Sequence, residues 1–256
     1  NLINYLKEVD AGFALYQKLG IHTVKIGQVG SKLNMKEWHH GQFGVNYFRY
    51  ILQKAAEYNL AVFYHEPIKD TGERRTYPNM LAREAARGQE YNAWSEGNPP
   101  SHVVILPFTR MLSGPMDYTP GVLDVEIKQG YPGKRIHGTT AQQLAMYVVF
   151  YSPIQMLADL PENYTGKPEL QFLKDVPKDW DNTIVLNGEI GEYITTVRKD
   201  RNSNDWFLGS MTNEKSRDLS VSLSFLDKNV RYEAQIYADA KGTSETVNPT
   251  AVAISK

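Results

Sequence analysis

Three glutamates, Glu66, Glu84 and Glu90, lie close together in the sequence and are interspersed with arginines. Glu66 follows His65 and the apolar run at residues 60–64, and a run of this kind indicates a buried strand. Carboxylates at the end of a buried strand are costly unless they are paired, bind a metal or take part in chemistry. A solvated loop and helix with surface ion pairs is the alternative interpretation, and the residues alone leave it open.

The elements that must position these side chains begin with two helix–strand pairs. Apolar spacing predicts helices at residues 2–19 and 43–58, and β-rich runs predict strands at 22–27 and 60–64. Alternation of helices and strands with short connections is typical of a parallel sheet. In a (β/α)₈ barrel, the strand before the first glutamate would aim that side chain at the C-terminal mouth, where such barrels have their active sites.

Further elements are predicted before residue 175. The same patterns predict a helix around residues 79–87, a third buried strand at 103–107, and an apolar helix capped by Thr139 or Thr140. Residues 154–160 are one more candidate strand. This gives about four strands, half of the number that a (β/α)₈ barrel needs.

The sequence pattern changes near Val176, and we place a domain boundary there, between residues 1–175 and 176–256. Beyond it, short strand-like runs recur, several of them alternate, and polar or glycine-containing turns separate them. A pattern of this kind is typical of an antiparallel β-sandwich. The predicted strands lie at residues 184–186, 193–197, 206–210, 219–225 and 232–237.

Composition excludes several classes of function. The chain has 256 residues and a net charge of −1, so no basic excess favours nucleic acid or an anionic membrane surface as a partner. No apolar run approaches the roughly 20 residues of a membrane span. The absence of cysteine excludes disulfides and thiolate zinc sites. The first residues have a helix-like pattern and not that of a signal peptide.

Three segments carry a resemblance to a known family. They read HEPIKDTGERRTYPNMLAREAARGQE, ILPFTRMLSGPMDYTPG and QLAMYVVFYSPIQMLADLPENY, and they resemble glycoside hydrolase family 97. The resemblance extends from Ile3 to about Thr250. It implies an N-terminal β-sandwich, a (β/α)₈ barrel and a C-terminal β-sandwich in the whole protein. Residues 1–175 would be the second half of the barrel, residues 176–256 the C-terminal sandwich, and the remaining N-terminal part of the same protein their partner.

The resemblance also assigns roles to particular residues. It implies that Glu90 is the general acid, that Glu66 is a base that also binds Ca²⁺, and that Glu84 is a second calcium ligand. Lys25 and His65 match sugar-contacting positions. The implied activity is calcium-dependent hydrolysis of α-glucosidic bonds in oligosaccharides with inversion, in the periplasm or after secretion. Another base-side glutamate and a further calcium ligand match no residue of this chain, so the 256 residues alone are expected to be inactive.

The residue at position 27 bears on the stereochemistry. Retaining, α-galactosidase-like members of the family read like V-K-V-D in this strand, with the Asp as nucleophile, whereas this chain ends the strand with Gly27. Those members also tend to have glycine where Glu66 stands, so both positions favour inversion. A β-bulge or a strand end is the alternative explanation of Gly27 taken alone. A retaining α-galactosidase, an inactive fragment and a carbohydrate-binding piece remain the alternative functions.

Other candidate residues are weaker. His39 and His40 are potential metal ligands, but a polar loop is the favoured interpretation because no third ligand has suitable spacing. Asp117 either lines the sugar site or belongs to an ordinary turn that Pro120 ends. On a continuous helix Glu84 and Glu90 would point about 120° apart. They converge only if the backbone turns near Gly88, so we expect a break there.

Overall fold

The computed structural model describes residues 2–127 and 131–256, and these form two compact units. The first unit contains the described residues up to Ala86, together with Ser113–Asp117 and Ser152–Ile154. The second unit contains the other described residues. These units are made of several separate segments of the chain, whereas the boundary predicted near Val176 divides the sequence at one point. That boundary stays a prediction.

The first unit is built on a parallel sheet of three strands. Its elements are α1 (Leu2–Lys18), β1 (Thr23–Gly27), β2 (Lys32–Leu33), β3 (Glu37–Trp38), α2 (Gln42–Glu57), β4 (Ala61–His65), α3 (Glu73–Thr76) and β5 (Met80–Arg83). Strand β4 lies between β1 and β5 and pairs in parallel with both. Strands β2 and β3 form a separate small antiparallel pair. The predicted helices α1 and α2 and strands β1 and β4 are confirmed.

Helix α2 covers the central strand with one apolar face. Phe48, Ile51, Leu52 and Ala55 follow the spacing of a single helix face, and all four are buried. The Phe48 ring meets the ring of Tyr64 edge to face at 4.8 Å, and the Tyr64 hydroxyl donates to the Phe48 carbonyl oxygen. Full burial of a side chain of this size stabilises the fold by about 1.5–3 kcal/mol. This packing fixes β4, whose end carries the first glutamate.

The predicted helix at residues 79–87 is wrong. Met80–Arg83 is the strand β5, which pairs with β4 through Val62 and Tyr64. Pairing with a neighbouring strand overrides the weak helix preference of these four residues. Beyond β5 the backbone of Ala85 has a φ of 48°, which no α-helix contains. The chain is therefore no continuous helix here: residues 84–88 form neither helix nor strand, and the break expected near Gly88 begins already at Ala85.

Two further predicted strands are also wrong. Residues 103–107 lie in helix α5 (Pro100–Ile105) and in a 3₁₀ helix at Leu106–Phe108. A short apolar run does not distinguish a buried strand from a buried helical segment, and proline at the first helical position favours the helix here. Residues 154–160 are irregular.

The second unit combines short helices with antiparallel strands. In chain order it contains α4 (Tyr91–Trp94), α5, α6 (Thr140–Val149), α7 (Pro161–Tyr164), α8 (Glu169–Asp175), β6 (Trp180–Glu189), β7 (Tyr193–Asp200), β8 (Trp206–Thr212), β9 (Ile236–Asp239) and β10 (Val252–Ser255). A second 3₁₀ helix spans Arg110–Ser113. Strands β6, β7 and β8 form one antiparallel sheet, and β9 pairs with β10. The antiparallel all-β character of the C-terminal region is confirmed.

Helix α6 is capped at both ends. The Thr139 hydroxyl accepts a hydrogen bond from the backbone of Gln142, which confirms Thr139 as the N-cap. At the other end the buried Arg198 of β7 donates to the carbonyl oxygens of Val148 and Val149. These are carbonyls that a helix end leaves without an internal partner. Burial lowers the pKa of Arg198 to about 10.

Two C-terminal predictions need correction. Residues 219–225 form no strand, and the run at 232–237 becomes a strand only from Ile236. The alternation at 219–225 assumes one buried face, but Leu219 and Leu223 are both exposed. Among the described residues, no helix has the length and apolar character needed to cross a membrane.

Candidate functional site

The candidate site lies at the C-terminal edge of the parallel sheet. Strands β1 and β4 end side by side, because Gly27 is in register with His65. Glu66 follows β4 directly, and Glu84 follows β5 directly, its backbone N–H donating to the Tyr64 carbonyl oxygen. Parallel strands bring these ends to one edge. The structure therefore brings together the candidate site residues that belong to the first unit.

His65, Glu66 and Glu84 form a compact cluster. Each offers one nitrogen or oxygen atom, and these atoms lie within 4.8 Å of one another. The Glu66 backbone N–H donates to Oε2 of Glu84 at 3.3 Å, and Nδ1 of His65 lies 3.4 Å from the same oxygen. Glu84 and His65 are buried, whereas Glu66 is partly exposed. Two converging carboxylates of this kind can bind a cation or share a proton.

The backbone at the cluster is strained. Glu66 has a φ of 43° and Ala85 a φ of 48°, and both are residues with a Cβ in the left-handed region. Such conformations cost about 1–3 kcal/mol each and persist only where the surroundings hold them, commonly at functional sites. Neighbouring groups must therefore hold Glu66 in this conformation.

Asp117 belongs to the site, which the sequence left undecided. Its side chain is fully buried, and its Oδ2 lies 2.6 Å from Nε2 of His65 and 3.8 Å from Nζ of Lys25. Its backbone N–H donates to the carbonyl oxygen of Arg83 at the end of β5. Asp117 thus contacts both predicted sugar-binding residues. Its contact with His65 spans 52 positions along the chain, so no local pattern could reveal it.

Gly27 leaves space that Glu66 occupies. A Cβ built on Gly27 would overlap with Oε2 of Glu66 and would lie 3.3 Å from Cβ of His65. A side chain at position 27 and the Glu66 carboxylate in its present position therefore exclude each other. Positions 27 and 66, which the sequence analysis paired, are therefore linked by a direct steric contact.

His39 is not the surface loop residue that the sequence favours. Its side chain is 2% exposed, with Nδ1 lying 2.9 Å from the Gly30 carbonyl oxygen and Nε2 lying 2.7 Å from that of Glu66. His40, in contrast, is exposed. The ring nitrogens of His39 thus face backbone carbonyls, and the residue joins the loop after β1 to the end of β4.

A cavity of about 250 Å³ opens beside the cluster. It has room for an ion with water molecules or for a small polar group. Its walls come from the loop after β1 and from the residues that follow β4 and β5. The lining residues are Gly30, His39, His40, Glu66, Pro67, Glu84, Ala85 and Ala86.

The segment after Glu66 is anchored by a buried arginine. Arg83 donates to the Ile68 carbonyl oxygen, and its guanidinium lies 3.2 Å from Oδ2 of Asp70, which also pairs with Arg74. Burial raises the pKa of Asp70, but the hydrogen bond from Gly72 and the two arginine charges outweigh it, so the net pKa is lowered. The carboxylate of Asp70 therefore stays ionised and holds this segment on β5.

Glu90 lies in the second unit, just before helix α4, and is partly exposed. Two buried asparagines hold its loop. Asn98 donates from Nδ2 to the Gly88 carbonyl oxygen, and Asn92 donates from Nδ2 to that of Gln89. The Asn98 backbone N–H donates in turn to Oδ1 of Asn92. The loop that carries Glu90 is therefore ordered by side-chain bonds within its own unit.

Two family models match the chain and together cover well over half of it. The model described as Glycoside hydrolase 97 matches residues 1–86, and the model described as Glycosyl-hydrolase 97 C-terminal, oligomerisation, matches residues 179–256. The chain belongs to glycoside hydrolase family 97. The resemblance seen in the sequence is thereby confirmed.

Relatives of this family 97 chain include enzymes of more than one description. A retaining alpha-galactosidase of Bacteroides thetaiotaomicron is 37% identical over 226 residues, which are 85% of this chain and 33% of the relative. A variant of a family 97 enzyme from Pseudoalteromonas sp. strain K8, solved in complex with panose, is 46% identical with a TM-score of 0.92. That match covers 100% of this chain and 41% of the solved chain.

The same Pseudoalteromonas enzyme in complex with acarbose gives a TM-score of 0.91 at 47% identity, over 98% of this chain and 41% of that one. The family 97 chain described here therefore spans about a third of the curated relative and about two fifths of the solved ones. The individual roles of Lys25, His65, Glu66, Glu84 and Glu90 stay predictions.

Proposed function

We propose that the whole protein to which this chain belongs hydrolyses α-glucosidic bonds in oligosaccharides with inversion of configuration. The observation that carries the proposal is the overlap between a side chain at position 27 and the carboxylate of Glu66. A retaining enzyme needs a nucleophile, and the resemblance puts that nucleophile at position 27. Here the space belongs to Glu66, which is a carboxylate suited to activating water.

Each carboxylate has one task in this reaction. Glu90 protonates the oxygen of the leaving sugar, and Glu66 accepts a proton from the water that attacks the opposite face. Glu90 must hold a proton when substrate binds, and Glu66 must be ionised. The left-handed backbone of Glu66 and its hydrogen bond to Glu84 restrict where the base can point.

Lys25 and His65 are proposed to bind sugar hydroxyls, and Asp117 is proposed to orient both. Nζ of Lys25 and the ring of His65 are both oriented by the same buried carboxylate of Asp117. The Lys25 side chain is 33% exposed, whereas that of Asp117 is fully buried. Hydrogen-bond donors held by a buried acceptor are suited to fixing a polyhydroxylated substrate.

Ca²⁺ is proposed as the cofactor, with Glu66 and Glu84 as two of its ligands. Ca²⁺ takes six to eight oxygen ligands and favours carboxylates, and both glutamates direct carboxylates towards the same small cavity. A bound Ca²⁺ would supply positive charge that favours the ionised form of the base and polarises water. The donor set of this chain fits the ion, and further oxygen ligands would complete its coordination.

The relatives and position 27 together support the proposed substrate class. The solved relative is described in complex with panose, as a variant, and in complex with acarbose, and panose is built of glucose units. The 37% identical relative is named a retaining alpha-galactosidase, so that activity is the second candidate. Gly27 and Glu66 favour the first candidate. The resemblance gives the retaining members an aspartate at position 27 and a glycine at position 66, and this chain has the opposite arrangement.

Proton NMR of the anomeric region tests the proposal. The whole protein is given an α-glucoside, with the matching α-galactoside in a parallel reaction, and spectra are taken before mutarotation. We expect the β-anomer of glucose first and little reaction with the galactoside. Appearance of the α-anomer first, or a preference for the galactoside, would favour the second candidate instead.

The location and the partner of the chain are further parts of the proposal. The family resemblance supports a periplasmic or secreted enzyme whose activity also requires the remaining N-terminal part of the same protein. Fractionation of the native cells with an antibody against residues 176–256 tests the location. Recovery of the protein only from the cytoplasm would contradict it.

A further inference from the structure

His39 makes two contacts that its position in a loop did not suggest. Its ring is almost fully buried, packs 5.7 Å from the Phe48 ring, and reaches the carbonyl oxygens of Gly30 and Glu66 with its two nitrogens. The contact with Glu66 is the shorter of the two, at 2.7 Å. A buried side chain that bridges two loops through backbone carbonyls restricts the conformation of both.

The residue at the far end of this contact is strained. Glu66 has a positive φ, which a residue with a Cβ adopts only when neighbouring groups hold it there. Its backbone is held on both sides, since its N–H donates to Glu84 and its carbonyl oxygen faces Nε2 of His39. With the backbone in this conformation, the Glu66 carboxylate lies beside Gly27.

Helix α2 is shaped to admit His39. A Cβ built on Gly44 would overlap with the carbonyl oxygen of His39, and its second neighbour would be the His39 carbonyl carbon at 3.0 Å. These are backbone atoms, which cannot rotate away as a flexible side chain can. The glycine therefore allows the loop to approach the helix so closely that the His39 ring enters the core beside Phe48.

We propose that His39 is a positioning residue for the base. By donating a hydrogen bond from Nε2 to the Glu66 carbonyl oxygen, it keeps the Glu66 backbone in the left-handed region and the carboxylate beside Gly27. The proposal rests on the proposed role of Glu66. It assigns His39 no contact with the substrate.

Two substitutions separate the two contacts of the ring. Gln at position 39 can place a donor near the position of Nε2 and keep the bond to Glu66, whereas Asn reaches only the position of Nδ1 and keeps the contact with Gly30. In the whole protein, His39→Asn should lower kcat about 10–100-fold, the usual loss when a group that orients a catalytic residue is removed. His39→Gln should stay within about threefold of wild type, and KM should change little in both variants because Glu66 acts in the transition state.

His22 supplies the matched control, since it is exposed at the start of the same parallel strands and remote from their C-terminal ends. His22→Gln and His22→Asn should leave kcat unchanged. Equal kcat values for His39→Gln and His39→Asn, after thermal unfolding shows both to be folded, would overturn the proposal.

Coupling to position 27 gives a readout that a merely structural role would not produce. Gly27→Ala also displaces the Glu66 carboxylate, so the double variant His39→Asn/Gly27→Ala should lose little more kcat than the worse single variant. If the fold-losses in kcat of the two single variants instead multiply in the double variant, His39 does not act through the Glu66 carboxylate. A crystal structure of the wild type provides the measurement that needs no variant and no activity: Glu66 outside the left-handed region, or without the His39 contact, would overturn the proposal.

These outcomes are distinct from failure of the proposed function. Wild-type protein that hydrolyses no α-glucoside removes the assigned substrate, whereas the crystallographic test of His39 and Glu66 remains. Wild-type activity with equal rates for the Gln and Asn variants rejects the role of His39 and leaves the proposed function intact.

Discussion

Replacing Gly27 with alanine separates the chemistry of the site from its stability. The added Cβ would overlap with Oε2 of Glu66 and lie 3.3 Å from Cβ of His65. The backbone of Gly27 lies outside the positive-φ region, so alanine can adopt it. The carboxylate of Glu66 is the far end of a flexible side chain and is therefore the group that moves.

The substitution has two opposing effects on the free energy of unfolding. Alanine in a strand is more stable than glycine by roughly 0.5–1 kcal/mol, which offsets the rotation of Glu66 at about 0.5–1.5 kcal/mol. The free energy of unfolding should thus change by less than about 1 kcal/mol. A general base contributes about 10²–10⁴-fold, so its displacement should lower kcat at least about 100-fold. That loss corresponds to about 2.7 kcal/mol of transition-state stabilisation.

Steady-state kinetics on an α-glucoside and urea unfolding of the same samples measure both quantities. Gly12→Ala in helix α1 is the control, because a Cβ there meets nothing within 4 Å. The control should be at least as stable as wild type, with unchanged kcat. Wild-type kcat in Gly27→Ala would show that the Glu66 carboxylate either does not occupy this space or does not act as the base.

Three other predictions concern single carboxylates. Glu84→Gln in the whole protein should weaken Ca²⁺ binding about 10–100-fold by calorimetry, and unchanged affinity would reject Glu84 as a ligand. Glu90→Gln should lose far more activity on substrates with poor leaving groups than on activated aryl glycosides, because only the former need the proton; an equal loss would move the acid role elsewhere. Asp70→Asn should destabilise the protein by about 1–3 kcal/mol at neutral pH. The pKa of Asp70 is lowered in the fold, so its stabilising contribution exists above its unfolded pKa near 4 and is lost as the pH falls through the folded value. Urea unfolding of wild type and variant should therefore converge in acid, and a constant difference down to pH 2 would contradict the assignment.

The sequence predicted the elements whose stabilising contacts are periodic. Helix α2 was visible because Phe48, Ile51, Leu52 and Ala55 repeat at helical spacing, and β4 because its residues form one apolar run. Met80–Arg83 was mistaken for a helix because its identity as a strand comes from pairing with β4, which is a contact between distant parts of the chain. Residues 103–107 failed for a related reason, since both a buried helix and a buried strand accept the same apolar run.

The residues of the candidate site also differ in how well the sequence predicted them. The resemblance identified Glu66 and Glu84, and the parallel sheet brings them together. It gave no weight to His39 and left Asp117 undecided, because their importance lies in contacts with Glu66 and His65 that are 27 and 52 positions away. A histidine next to an exposed histidine, and an aspartate before a turn, look ordinary until burial is known.

Two glycines explain how one strand edge can serve different chemistry within a family. Gly44 allows the His39 backbone to approach helix α2, and Gly27 allows the Glu66 carboxylate to occupy the end of β1. In both cases the missing side chain leaves space for a neighbouring residue, the backbone carbonyl of His39 at Gly44 and the carboxylate of Glu66 at Gly27. A carboxylate at position 27 would need the same space as Glu66, which gives a physical reason why members with an aspartate there tend to have glycine at the other position. Under the proposed mechanism, inversion and retention would be alternative occupancies of one volume, and a change from one to the other would need both positions to change together.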